Sequence, residues 1–99
     1  MSKIYISGQI TGLKLEESKA NFDAAFDMLA LYWPHADIVN PFDIKPFLGI
    51  KKWLFYMITD VLQLRKCNTI YMLKSWEKSR GACIEHLIAL SYKKTIIYQ

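Results

Sequence analysis

Ninety-nine residues hold one domain with no room for a second core, and 53% hydrophobic content with 14% aromatics excludes a disordered chain. The net charge of +4 divides unevenly: −2 over residues 1–50, with four lysines and six acids, and +6 over residues 51–99, with nine Lys/Arg and three acids. A basic second half attracts nucleic acid or a phosphorylated small molecule, or forms a solvated lysine surface.

No run of about 18 apolar residues and no basic leader with an apolar stretch occurs, so neither a membrane span nor a signal peptide is expected and the location is read as cytoplasmic. Cys67 and Cys83 form no CxxC pattern and read as reduced thiols. With His35 and His86 they lack any ligand spacing, so no metal is expected.

Taken in chain order, Lys3-Ile-Tyr-Ile-Ser7 reads as a strand that ends at Gly8, and Gly8 to Gly12 as a loop. From about Leu15 to Trp33 the pattern is helical: Phe22, Phe26 and Leu29 fall at i, i+4 and i+7, and Pro34 stops it. Residues 36–40 form a short strand closed by Pro41. Phe42 to Ile50, interrupted by Pro46 and Gly49, reads as a loop. A second helix is predicted from about Lys52 to Arg65, with Trp53, Leu54, Met57, Ile58, Val61 and Leu64 on one side. Asn68 to Leu73 is a mostly apolar and therefore central strand. Ser75 to Arg80 is a polar loop around Trp76, a third helix spans about Gly81 to Tyr92, and Thr95 to Tyr98 is the last strand.

This β-α-β-α-β-α-β order predicts an α/β fold, a three-layer, trimmed flavodoxin-like parallel sheet of about four strands in an order such as 2-1-3-4. In such sheets ligands bind beyond the carboxyl ends of the strands, beside the first strand. That rule selects Gly8 to Gly12, Asn40 to Asp43, and Lys74 to Glu85.

Asp43, Asp60 and Glu85 fall near that rim, and Glu77 lies in the third loop. Glu85 is expected in the first turn of the last helix, where the dipole favours a negative charge by about 0.3–1 kcal/mol. It reads either as an ordinary first-turn acid or as a nucleophile. Asp60 sits mid-helix at the margin of the apolar face, as a boundary residue paired with a surface base or as a partly desolvated acid. Ser79 and Gly81 before a helix start suit an anion, or make an ordinary turn and cap. Tyr5 and Tyr71 read as core strand aromatics. Trp76 reads as an exposed indole in want of a partner or ligand.

Together these motifs resemble the nucleoside 2-deoxyribosyltransferase superfamily, in its short phage and bacterial branch of unknown function. The carriers are IYISGQITG at 4–12, VNP at 39–41, WLFYMITDVLQLRKCNTIYML at 53–73 and SRGACIE at 79–85. The resemblance implies that Glu85 is the nucleophile that forms a glycosyl-enzyme ester, that Asp60 is the acid on the departing base, and that Tyr5 orients the glutamate. It places Gly8, Gln9, Thr11, Asn40, Trp76, Ser79 and Gly81 around the substrate, with Ser79 and Gly81 matching a loop that cradles a 5′-phosphate. Gln9 and Thr11 stand where the nucleotide-hydrolysing branch carries a phosphate-binding Ser and Arg, and Asn68 stands where an aspartate is common.

The implied activity is cleavage or base exchange of an N-glycosidic bond in a nucleoside or nucleotide, without a cofactor. The alternative is a non-catalytic nucleotide-binding module on the same fold. No recognition motif accompanies the lysines, so nucleic acid is not the expected partner. The chain is shorter than the larger enzymes and carries exposed aromatics, so a homo-oligomer that completes each pocket is expected.

Overall fold

The alternation in Lys3-Ile-Tyr-Ile-Ser7 becomes the first strand of a four-stranded parallel sheet in the computed structural model, which describes residues 2–10, 12–41 and 61–99. In chain order the elements are β1 (Lys3–Ser7), α1 (Leu15–Tyr32), β2 (Asp37–Val39), a helical segment α2 (residues 61–66), β3 (Thr69–Met72), a 3₁₀ turn (Trp76–Lys78), α3 (Arg80–Ser91) and β4 (Thr95–Tyr98). The strands lie in the order β2-β1-β3-β4, which is the flavodoxin-like arrangement expected from the alternation. The expected loop at 42–50, with Asp43, and all but the end of the helix expected at 52–65 lie outside the described residues.

Strand residues that alternate along β1 face opposite layers. Ile4 and Ile6 turn to α1, where they meet Phe22, Ala25 and Leu29, along with Tyr71 and Leu73. Tyr5 faces the other way, into a cluster of Val39, Leu64, Cys67, Ile70, Met72, Ala82 and Ala89 that α2 and α3 complete. The register sets Tyr5 between Val39 of β2 and Ile70 of β3. Tyr71 is thus a core residue of the α1 layer, on the face opposite Tyr5, and burial raises its phenol above the ordinary value.

Local chemistry closes the elements. Glu16 and Glu17 occupy the first turn of α1, where the dipole favours acids. At the other end the Trp33 N–H bonds back to the Leu29 carbonyl at 2.8 Å before Pro34 ends the helix. The Lys94 ammonium caps the end of α2 by donating to the carbonyls of Arg65, at 3.3 Å, and Cys67. The Asn68 side-chain oxygen accepts from the Lys3 N–H at 3.0 Å and from the Thr69 hydroxyl at 3.1 Å, which ties the starts of β1 and β3 together. Both cysteines are free. Cys67 is buried just ahead of β3, and desolvation raises its thiol pKa, which suits an inert core residue. Among the described residues no helix is long and apolar enough to cross a membrane.

Candidate active site

At the carboxyl end of β1, two hydroxyls of one strand meet one carboxylate of α3. The Tyr5 phenol donates to Oε2 of Glu85 at 2.6 Å, and the Ser7 hydroxyl donates to Oε1 at 2.6 Å. The three residues are 1%, 1% and 4% exposed. A buried carboxylate costs several kcal/mol unless hydrogen bonds replace its water. Short hydroxyl bonds to an anion are of the strong, charge-assisted kind and offset part of that cost. Residues i and i+2 of a strand share a face, so the Tyr-Ile-Ser run of β1 places both donors toward α3.

The helix geometry corrects one expectation. α3 begins at Arg80 with Ser79 as its N-cap and has no acid in its first turn. Glu85 lies five residues beyond the first helical position, about 7.5 Å along the axis. At that depth its charge rests on the two hydroxyls rather than on open N–H groups at the helix end. A helical Cα–Cβ bond tilts toward the N-terminus, so the side chain still leans to the rim.

The other expected residues divide into those the rim collects and those with another task. Gly8 follows Ser7 and passes so close to β3 that an added Cβ would fall 2.5–2.9 Å from Cδ1, Cβ and Cγ of Leu73. Gln9 lines a cleft of about 190 Å³ with Leu13, Asn21, Lys74, Ser75 and Lys78, between the β1 and β3 exits. Glu85 does not line that cleft.

Asn40 is buried at the end of β2 and donates its amide to Asp23 of α1 at 2.9 Å. Lys19 holds the other oxygen of Asp23 at 2.6 Å and draws its carboxyl below the ordinary value; burial opposes the shift and Asn40 assists it. Ser79 uses its hydroxyl to cap α3, accepting from the Ala82 N–H at 3.2 Å, and Gly81 lies in the first turn above it. The expected anion cradle is thus already serving as a helix cap.

Trp76 is half-buried rather than open. It stacks on His86 with centroids 4.3 Å apart, and His86 is paired through Nε2 with the Tyr98 hydroxyl at 2.7 Å. Asp60 and Thr11 lie outside the described residues. Among the described residues no cluster of three or more His, Cys, Asp or Glu could hold a metal ion.

The model of the family described as Domain of unknown function (DUF4406) matches residues 2–98. The chain belongs to that family. No curated protein matches it. Among solved structures, a 2-desoxiribosyltransferase from Leishmania mexicana superposes on the DUF4406 chain with a TM-score of 0.72 at 17% sequence identity. The match covers 99% of this chain and 63% of that one. At that identity the likeness establishes the flavodoxin-like fold.

Three residues of the DUF4406 chain went unread as a sequence. Ser7 is a small residue at a strand end, and nothing local distinguishes it from a surface serine. Asp23 is one of several acids along α1, and its partner Asn40 is 17 residues away. Ser18 is fully buried and donates to the Gln9 and Ile10 carbonyls at 3.2 and 3.3 Å, holding Gln9 and Ile10 on α1. A serine on the Phe22-Ala25-Leu29 side of a helix was the available signal, since a buried hydroxyl needs a partner.

Proposed function

We propose that this domain cleaves or exchanges the N-glycosidic bond of a (deoxy)nucleoside or nucleotide through a glycosyl ester formed on Glu85. The observation that carries the reading is the two-hydroxyl clamp on Glu85 at the rim where this fold binds ligands. The 2-desoxiribosyltransferase on the same fold supports it, as does the resemblance of the rim motifs.

The chemistry suits the group. Departure of the base builds oxocarbenium character on the sugar, which a carboxylate stabilises and then captures. A lone pair of Glu85 forms the bond to the anomeric carbon. The carbon–nitrogen pair leaves with the base, which takes a proton from the acid, the role assigned to Asp60. An incoming base nitrogen or water then attacks the same carbon, and the electron pair of the ester bond returns to Glu85. In either branch the deprotonated acid takes up the proton that the attacking nitrogen or water releases. Gly8, Gln9, Thr11, Asn40, Trp76, Ser79 and Gly81 are the proposed substrate surroundings.

Deoxynucleosides and their monophosphates, incubated with and without a free acceptor base, test the reading by base release or exchange. Glu85→Ala is expected to lower the rate on the order of 10³-fold or more. An unchanged rate in that variant removes the mechanism.

One observation favours a second reading, a nucleotide-binding module without turnover. Glu85 is 4% exposed with a hydroxyl on each oxygen, as in a purely structural carboxylate. Calorimetry showing tight binding without turnover, with affinity kept in Glu85→Gln, would select it. In either case the domain is proposed to act as a homo-oligomer, since it spans 63% of the enzyme it superposes on and exposes Leu62, Leu87 and Leu90. Light scattering that shows a strict monomer would exclude the assembly.

A further inference from the structure

We propose that Ser7 is a positioning residue for Glu85: its hydroxyl holds one carboxylate oxygen ionised and oriented for attack, a duty distinct from that of Tyr5. This role rests on the glycosyl-transfer reading of Glu85 and deepens it.

Three features of the clamp lead there. The last torsion of a glutamate side chain is broad and nearly two-fold, so a single donor leaves the carboxylate plane loosely set. Tyr5 on Oε2 and Ser7 on Oε1 engage both oxygens, and two anchors fix that plane. Second, Ser7 is 1% exposed on a strand face whose neighbours at Val39, Ile70 and Met72 are apolar. A hydroxyl there costs stability unless it is bonded, and its bond goes to Glu85. Third, the two donors differ in freedom. The serine hydroxyl is one torsion from the backbone, whereas the phenol belongs to a ring packed in the core.

The difference assigns their roles through the reaction. As Oε1 commits a lone pair to the anomeric carbon, the Ser7 hydroxyl keeps only a weaker bond to the remaining lone pair of that oxygen. Tyr5 stays on Oε2, which becomes the ester carbonyl oxygen. When the ester breaks, the electron pair returns to Oε1 and the Ser7 bond regains its strength. Loss of Ser7 therefore weakens ionisation and aim before attack. Loss of the Tyr5 hydroxyl weakens the departure of the carboxylate from the sugar.

The test uses Ser7→Ala and Ser7→Thr in the full chain, with Tyr5→Phe beside them. Glu85 is titrated by ¹³C NMR of glutamate-labelled protein, its resonance assigned by its absence in Glu85→Gln. In Ser7→Ala the titration midpoint is expected to rise by about one pH unit, the scale of one lost charge-assisted hydrogen bond partly replaced by water. The acid limb of the kcat/KM profile should rise by the same interval, so that the loss is largest at low pH and shrinks on the alkaline side. Ser7→Thr, which keeps a hydroxyl, should restore both. Tyr5→Phe also removes a 2.6 Å donor from the carboxylate and should raise the midpoint too. In addition it should slow the second step and enlarge the burst of released base, which Ser7→Ala should not.

A rate lowered by one factor at every pH, with the Glu85 titration unmoved, would mark Ser7 as a packing residue and overturn the role. An unmoved titration does so whether or not turnover is seen. Absence of turnover in the wild-type protein, with the titration shifted in Ser7→Ala, would instead overturn the glycosyl-transfer reading and with it the catalytic duty of Ser7.

Discussion

The two faces of β1 make opposite use of the same strand. Toward α1, Ile4 and Ile6 pack on Phe22, Ala25 and Leu29 in a layer of hydrocarbon. Toward α3, Tyr5 and Ser7 spend their hydroxyls on a buried carboxylate. Hydrocarbon burial is non-directional and contributes roughly in proportion to area, about 25 cal/mol per Å². A buried anion gives little net stability, because its hydrogen bonds mainly offset lost hydration. Both faces bury hydrocarbon, and only the α3 face also holds a group that folding alone does not require.

The largest expected effect on stability breaks the α1 side. Phe22 is 1% exposed, and Phe22→Ala should cost about 3–5 kcal/mol through lost burial and the cavity left behind. Urea denaturation measures it. Where the variant remains folded, the Glu85 titration should match the wild type, and a shifted titration would show that the two faces are not separable.

Gly8 is where the faces join, since it follows Ser7 and touches Leu73 of the α1 layer. Gly8→Ala sets a methyl 2.8 Å from the Leu73 Cβ, which a rotamer change cannot move. A cost of about 1–3 kcal/mol is expected. Where the relief shifts the end of β1, the Ser7–Glu85 bond should weaken too, giving a higher Glu85 titration midpoint. A pure stability loss would show that the adjustment falls on β3 instead.

The smallest expected effect concerns the exposed polar edge of α1. Lys19 and Asn40 lower the Asp23 carboxyl below its ordinary value of 3.8. Its contribution is then present above pH 3.8 and is lost as pH falls through the lower, folded value. The Lys19–Asp23 pair is 57% and 42% exposed, so screening leaves about 0.5 kcal/mol or less. Asp23→Asn should remove that much at pH 6 and progressively less as pH falls below 3.8, with the difference fading in high salt. Thermal melts across that range check it. A larger loss at pH 6 would mean that Asp23 chiefly anchors the buried Asn40 rather than Lys19.

Much of the fold was legible because its signals are local and periodic. Alternation marked β1, Phe22 and Leu29 marked the buried side of α1, and Pro34 marked its end. The strand order followed from the handedness of βαβ crossovers, which leaves few arrangements open to so short an alternating chain. Glu85 stands out by its place near the rim and Tyr5 through the resemblance of its motif, and the structure brings them into contact. Trp76 reads in sequence as an indole in want of a partner, and the identity of its partners, His86 and Tyr98, is not legible because they come from α3 and β4. Ser79 was read as an anion site or a cap, and the Ala82 N–H shows the cap in place.

The sequence by itself determined which residues alternate, which recur every three or four, and where glycine or proline must interrupt them, because these follow from backbone sterics within a few bonds. Only the tertiary structure decided that Ser7 and Glu85, 78 positions apart, share a hydrogen bond, and that Glu85 lies a turn deeper than its neighbourhood implied. Such a contact depends on how far a helix slides along a sheet before its small residues, Ala82 and Ala89, seat against the strands. That displacement is set by packing of the whole layer and leaves no mark on any short stretch of chain.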